Sequence, residues 1–102
     1  MMTLPVVLRD QAAEELLVAC DYLEARQAGL SVRLIAEVKR VVNRISAHPE
    51  LHGLVLQDIR RAAVRRFSYS VFYRVLPTRI EVFAVFHDSR DPTEWQSRIG
   101  PQ

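Results

Sequence analysis

The chain has 102 residues, 49% of them apolar and 25% charged, which is enough for one hydrophobic core and too little for two, so residues 1–102 read as one domain. No apolar run approaches the ~20 residues of a membrane span, and Met1 to Val7 is too short and too weakly apolar for a signal peptide. Cys20 is the only cysteine, so no disulfide can form within the chain; an inert thiol in a reducing, cytoplasmic setting is the expectation.

Pro5 to Arg9 is short and β-branched and predicts a first strand. Asp10 offers an N-cap oxygen, and Glu14 and Glu15 follow where the helix dipole favours negative charge. Ala13, Leu16, Leu17, Cys20 and Leu23 then recur at helical spacing as one apolar stripe. Gly29 ends this helix near Gln27, and Ser31 can cap a second one. In that helix Ile35, Val38, Val42 and Ile45 form the inward stripe, and Arg33, Glu37, Arg40 and Arg44 form the wet face. Pro49 closes it. A connection this short predicts an antiparallel helical hairpin.

After Pro49 the period changes. His52 and Gly53 begin a loop, and from about Ala62 the pattern becomes strand-like, with Phe67 to Ser70 as a tight connection. Val71 to Leu76 is the next strand, Pro77 to Arg79 a turn, and Ile80 to His87 the last strand. That last strand is apolar at nearly every position, so it is covered on both faces or offers one face to a partner. Asp91, Pro92 and Glu94 have the spacing of a capping box at the start of a short terminal helix. The sum is a two-layer α+β domain: an N-terminal strand and a helical hairpin packed on a small antiparallel sheet, with a short C-terminal helix.

The net charge of +2 hides an uneven distribution. Residues 1–50 carry six basic and seven acidic groups, and residues 51–102 carry eight arginines against five acids. No carboxylate lies between Asp58 and Glu81, whereas Arg60, Arg61, Arg65, Arg66, Arg74 and Arg79 fall inside that window. Such a stripe is the footprint of a surface for a polyanion or an acidic protein; the alternative is a solvated arginine-rich face. Arg90, Trp95 and Arg98 extend it toward the C-terminus. Trp95 can equally be the plug that docks the terminal helix on the sheet.

Catalytic candidates are few. His87, at the end of the last strand, titrates in a useful range, but it can also serve only to fix the strand-to-helix turn. Tyr73 fits packing better than proton transfer. His48, His52 and His87 are too scattered for a zinc site, and no phosphate loop or nucleophile elbow is present, so neither a metal nor a cofactor is expected.

The element order, the segment Arg60-Arg61 with Arg65-Arg66-Phe67-Ser68-Tyr69 and Val71-Phe72-Tyr73-Arg74, and the tail His87-x-x-Arg90-x-Pro92-x-x-Trp95-x-x-Arg98 resemble the RelE/ParE toxin superfamily, closest to its ParE-like branch. The resemblance covers nearly the whole chain. It implies the toxin of a type II toxin-antitoxin system, of the kind associated with plasmid stabilisation, neutralised by a cognate antitoxin. One branch of the superfamily cleaves ribosome-bound mRNA and the ParE branch acts on DNA gyrase.

Ribonuclease relatives commonly carry lysines on the sheet and an aromatic or histidine near the C-terminus for catalysis or stacking. This chain has no lysine after Lys39, and beyond His87 its only aromatic is Trp95. The expectation is therefore a non-enzymatic gyrase inhibitor that meets its target through Arg60, Arg61, Arg65, Arg66, Arg74, Arg90, Trp95 and Arg98. Val82, Phe83, Val85 and Phe86 would receive the antitoxin. The alternatives are a ribosome-dependent mRNA endoribonuclease using His87, with or without Tyr73, and Arg61, Arg65 and Arg74 as phosphate ligands; or a non-toxic antitoxin-binding module. A homodimer and a toxin-antitoxin hetero-oligomer both stay open.

Overall fold

The computed structural model describes residues 3–99. The elements run β1 (Val6–Leu8), α1 (Asp10–Arg26), α2 (Leu30–Ala47), β2 (Leu54–Leu56), β3 (Ile59–Val64), β4 (Tyr69–Val75), β5 (Ile80–His87) and α3 (Thr93–Gln96). The strands form one sheet in the order β1-β5-β4-β3-β2. Only the β1–β5 pair is parallel. The predicted α+β class, the helical hairpin and the position of β1 at an outer edge all hold.

The hairpin covers one face of the sheet. Leu34, Val38, Val41 and Ile45 of α2 and Ala12 and Ala19 of α1 are buried against Ala62, Val64, Val71, Tyr73, Ile80, Val82 and Val85. Both stripes are rotated by about one residue from the predicted ones. On α2, Leu34 and Val41 point inward where Ile35 and Val42 were expected, and Glu37 is 8% exposed instead of solvated, with Arg40 at 3.3 Å from its carboxylate. On α1, Leu17 is 65% exposed and Ala12 and Ala19 are buried. The small alanines let the helix lie close to β5, which a stripe of leucines would hold away.

The helix caps also differ from expectation. Asp10 is the first helical residue, and Arg9 at the N-cap makes no side-chain cap bond. At α2 the cap is supplied from the other helix: the Glu24 carboxylate accepts the Gly29 N–H (2.9 Å), the Ser31 N–H (3.0 Å) and the Ser31 hydroxyl (2.7 Å). These bonds, the Gly29 amide foremost, hold Glu24 below the usual carboxylate range. The hairpin reverses through Gly29 at φ 93°, a conformation that glycine adopts without steric cost.

The segment after α2 holds the main difference in strand layout. β3 starts at Ile59, so Arg60 and Arg61 lie within a strand instead of before it, and β2 pairs with it through Leu54↔Arg60 and Leu56↔Ile59. Arg60 reaches back to the His52 carbonyl (2.6 Å) and the Glu50 carbonyl (3.3 Å), and the Tyr73 hydroxyl donates to the Pro49 carbonyl (2.7 Å). His52 packs edge-on to Tyr73, with its Nε2 buried and without a partner. Burial, reinforced by Arg44 and Arg60, lowers the pKa of His52. Because the folded state favours the neutral ring, stability is complete above about pH 6.5 and falls as the pH drops toward the lowered folded value. Melting curves between about pH 7.5 and 5 should therefore show a steeper acid loss for the wild type than for His52→Gln; parallel curves would contradict this.

The second face of the sheet is not bare. Ile59, Phe72, Phe83, Ala84 and Phe86 form a smaller core there, closed by Trp95 of α3. Asp91 Oδ1 accepts the Thr93 N–H (3.0 Å), but the reciprocal half of the capping box is missing because Glu94 turns to Arg90.

Candidate functional site

The end of β5 and the segment after it form a ridge between two depressions. On the side of α1 lies a groove of about 580 Å³, lined by Glu15, Val18 and Tyr22 from the helix, Tyr69, Val85 and His87 from the sheet, and Ser89, Arg90 and Arg98 beyond it. On the α3 side a shallower hollow of about 350 Å³ is bordered by Arg61, His87, Asp88, Arg90 and Trp95. His87 and Arg90 border both.

His87 sits at the last position of β5, opposite Tyr69 of β4. Its ring meets Tyr69 edge-on at 5.1 Å. Its Nδ1 lies 2.7 Å from the Ser89 hydroxyl and accepts the Ser89 N–H at 3.1 Å. The histidine thus pins the turn that leads out of the sheet. Tyr69, which the sequence placed in a connection, lies within β4, and burial raises its pKa so that it stays a neutral phenol. Tyr73 is fully buried with its hydroxyl on Pro49, which corrects its candidacy as a proton-transfer group: no substrate reaches it.

The arginine stripe dissolves in three dimensions. Its window lacks carboxylates in sequence, yet the strands bring acids from outside the window alongside. Arg74 forms a forked pair with Asp58 (3.0 and 3.1 Å), and Arg61 lies 3.4 Å from Asp88. Arg79 pairs with Glu81 (2.8 Å), and Arg90 pairs with Glu94 (2.6 Å) while its guanidinium stacks on the Phe86 ring at 3.8 Å. Arg60 is spent on loop carbonyls. Strand alternation also places Arg60 on the helix side of the sheet and Arg61 and Arg74 on the other. Arg65 and Arg66, exposed in the β3–β4 turn with Arg66 at φ 72°, have no carboxylate partner among the described residues.

Arg98 is withdrawn from the surface. Its guanidinium makes a forked pair with Glu15 (2.5 and 3.2 Å) and donates to the Phe83 carbonyl (3.1 Å), and both side chains are mostly buried. Trp95 is 3% exposed, stacked on Phe72 with ring centres 4.4 Å apart. It plugs the second core and presents no target-binding surface.

The four β5 residues expected to receive a partner are likewise consumed: Val82, Phe83, Val85 and Phe86 are 1%, 8%, 2% and 2% exposed. The chain itself covers both faces of β5, the hairpin on one and α3 on the other. The apolar surface left open lies instead on α1, where Val18 is 61% and Tyr22 53% exposed at the rim of the groove. That site was illegible in sequence because Val18 and Tyr22 flank an apolar stripe and look like its margins. Among the described residues no group of three histidine, cysteine or acidic side chains is placed to hold a metal ion, and no helix is long and apolar enough to cross a membrane.

The fold is that of a known toxin. The structure matches a solved chain described as "Chromosomal ParDE TA system from P. aeruginosa" with a TM-score of 0.74 at 12% sequence identity, covering 83% of this chain and 96% of that one. No curated protein matches the sequence. The family described as "ParE toxin of type II toxin-antitoxin system, parDE" matches residues 6–92. The chain belongs to this family and is a toxin of the type II class.

Proposed function

We propose that this toxin inhibits DNA gyrase by binding, without a catalytic centre of its own, and that a cognate antitoxin neutralises it. Support comes from membership of the ParE family together with one structural observation: only a single candidate for proton transfer borders the basic ridge. Cleavage of RNA through its 2′-hydroxyl needs a base, an acid and cations around the phosphorane. Here the cations are largely paired, Tyr73 is buried and His87 is occupied by Ser89. A binding inhibitor needs none of that chemistry. It needs a shaped, charged surface, and the β3–β4 turn with Arg65 and Arg66 is the unneutralised positive part of it.

Supercoiling by purified gyrase tests this reading. The protein should block supercoiling and stabilise cleaved DNA, and added antitoxin should reverse both effects. The double variant Arg65→Glu/Arg66→Glu should require about tenfold more protein for half inhibition, with an unchanged melting temperature, because reversing two unpaired charges removes attraction at the interface without touching the core. Full supercoiling at saturating wild-type protein would rule the reading out.

A further inference from the structure

The β5 edge inside the groove is an unfinished strand edge stoppered by two side chains. β1 is three residues long and pairs only with Ile80 to Val82 of the eight-residue β5. The Arg9 N–H to Val82 carbonyl bond, at 2.9 Å, ends that pairing. Immediately afterwards Phe83 is the extra residue of a β-bulge, since Tyr73 pairs with Val82 and Phe72 with Ala84. A bulge shifts which backbone groups point to the edge. The Phe83 carbonyl and the Val85 N–H now face the groove, and they are satisfied by Arg98 (3.1 Å) and Glu15 (3.0 Å) in place of a neighbouring strand. Buried backbone polar groups require partners, so the Glu15–Arg98 pair performs the work of an absent strand.

We propose that an extended segment of the antitoxin takes this edge, displacing Glu15 and Arg98 by side-chain rotation and pairing with Phe83 and Val85. The proposal rests on the toxin-antitoxin reading and adds the place and the chemistry. The groove between β5 and α1 has room for one strand, and its outer wall is the exposed apolar pair Val18 and Tyr22. A strand presents side chains alternately, so the segment carries an apolar residue toward Val18 and Tyr22 at every second position. An acidic residue of the segment meets Arg98 and Arg90, replacing the carboxylate that Glu15 withdraws. Strand addition of this kind draws affinity from main-chain bonds and specificity from the alternating side chains.

The test uses the full chain and the antitoxin encoded beside it. Val18→Glu places a charge on the groove wall at a position open to solvent, so it should leave the melting temperature unchanged and weaken the complex about 100-fold. Tyr22→Glu, one turn further along α1, repeats the test. Val32→Glu on α2, 72% exposed in the free chain and away from the groove, should bind as wild type does. Hydrogen exchange should show the amides of residues 84–87 slowed on complex formation. A complex that forms with unchanged exchange at 84–87, or with wild-type affinity for both α1 variants, overturns the strand site while the antitoxin pairing stands. No complex with the wild-type chain overturns both.

Discussion

Trp95→Ala should cost about 3–5 kcal/mol of folding stability, the usual range for removing a buried tryptophan. The reason is positional. α3 is a single turn, Thr93–Gln96, and a helix of that length has no stability of its own in water. Trp95 anchors it by stacking on Phe72 and leaning on Phe83 at 5.9 Å. Without the indole, Phe72, Phe83 and Phe86 open to solvent on the sheet face opposite the hairpin. For a domain whose whole stability is about 5–15 kcal/mol, such a loss is a large fraction. Denaturation followed by circular dichroism measures it, with Trp95→Phe, which keeps an aromatic ring against Phe72, expected to recover most of the loss. A loss below about 1 kcal/mol for Trp95→Ala would mean that α3 is not docked as described.

Glu15→Ala should be the next most damaging change, at about 2–3 kcal/mol, somewhat below the cost of breaking a fully buried ion pair because Glu15 and Arg98 keep some solvent contact. The carboxylate serves three donors: two guanidinium nitrogens of Arg98 and the Val85 N–H. Removing it strands a mostly buried guanidinium and an unpaired strand amide together. Arg98→Ala removes the charge but leaves Glu15 on Val85, and Arg90 at 4.0 Å remains to offset it. Urea unfolding of both single variants and of the double variant gives the coupling directly. A double-variant loss equal to the sum of the single losses would deny the pair.

These two residues mark the limit of what could be read from sequence. Trp95 was legible as a plug because tryptophan one turn into a short terminal helix has few other sites to occupy, although its partners were not. Glu15 was legible only as an acid near a helix start; its true partner lies at Arg98, and helical periodicity names a face but no distant neighbour. The strand β2 was missed because Leu54 to Leu56 is too short for alternation to register, and its turn at Gln57 and Asp58, with Gln57 at φ 49°, lacks the glycine that signals a hairpin.

The arginine stripe misled for a related reason. Absence of acids along a stretch of chain is not absence in space, since antiparallel pairing brings Glu81 beside Arg74 and the chain reversal brings Asp88 near Arg61. The tight hairpin, β5 and the terminal turn, by contrast, depend on local signals at Gly29, Pro77 and Asp91, and there the sequence and the fold agree.

The direct test of the account is the concentration of His87→Ala protein that half-inhibits gyrase supercoiling, compared with wild type. A binding inhibitor whose histidine only pins the turn to Ser89 predicts values within about twofold of each other. No inhibition by wild type, or loss of inhibition in the folded His87→Ala protein, would contradict it.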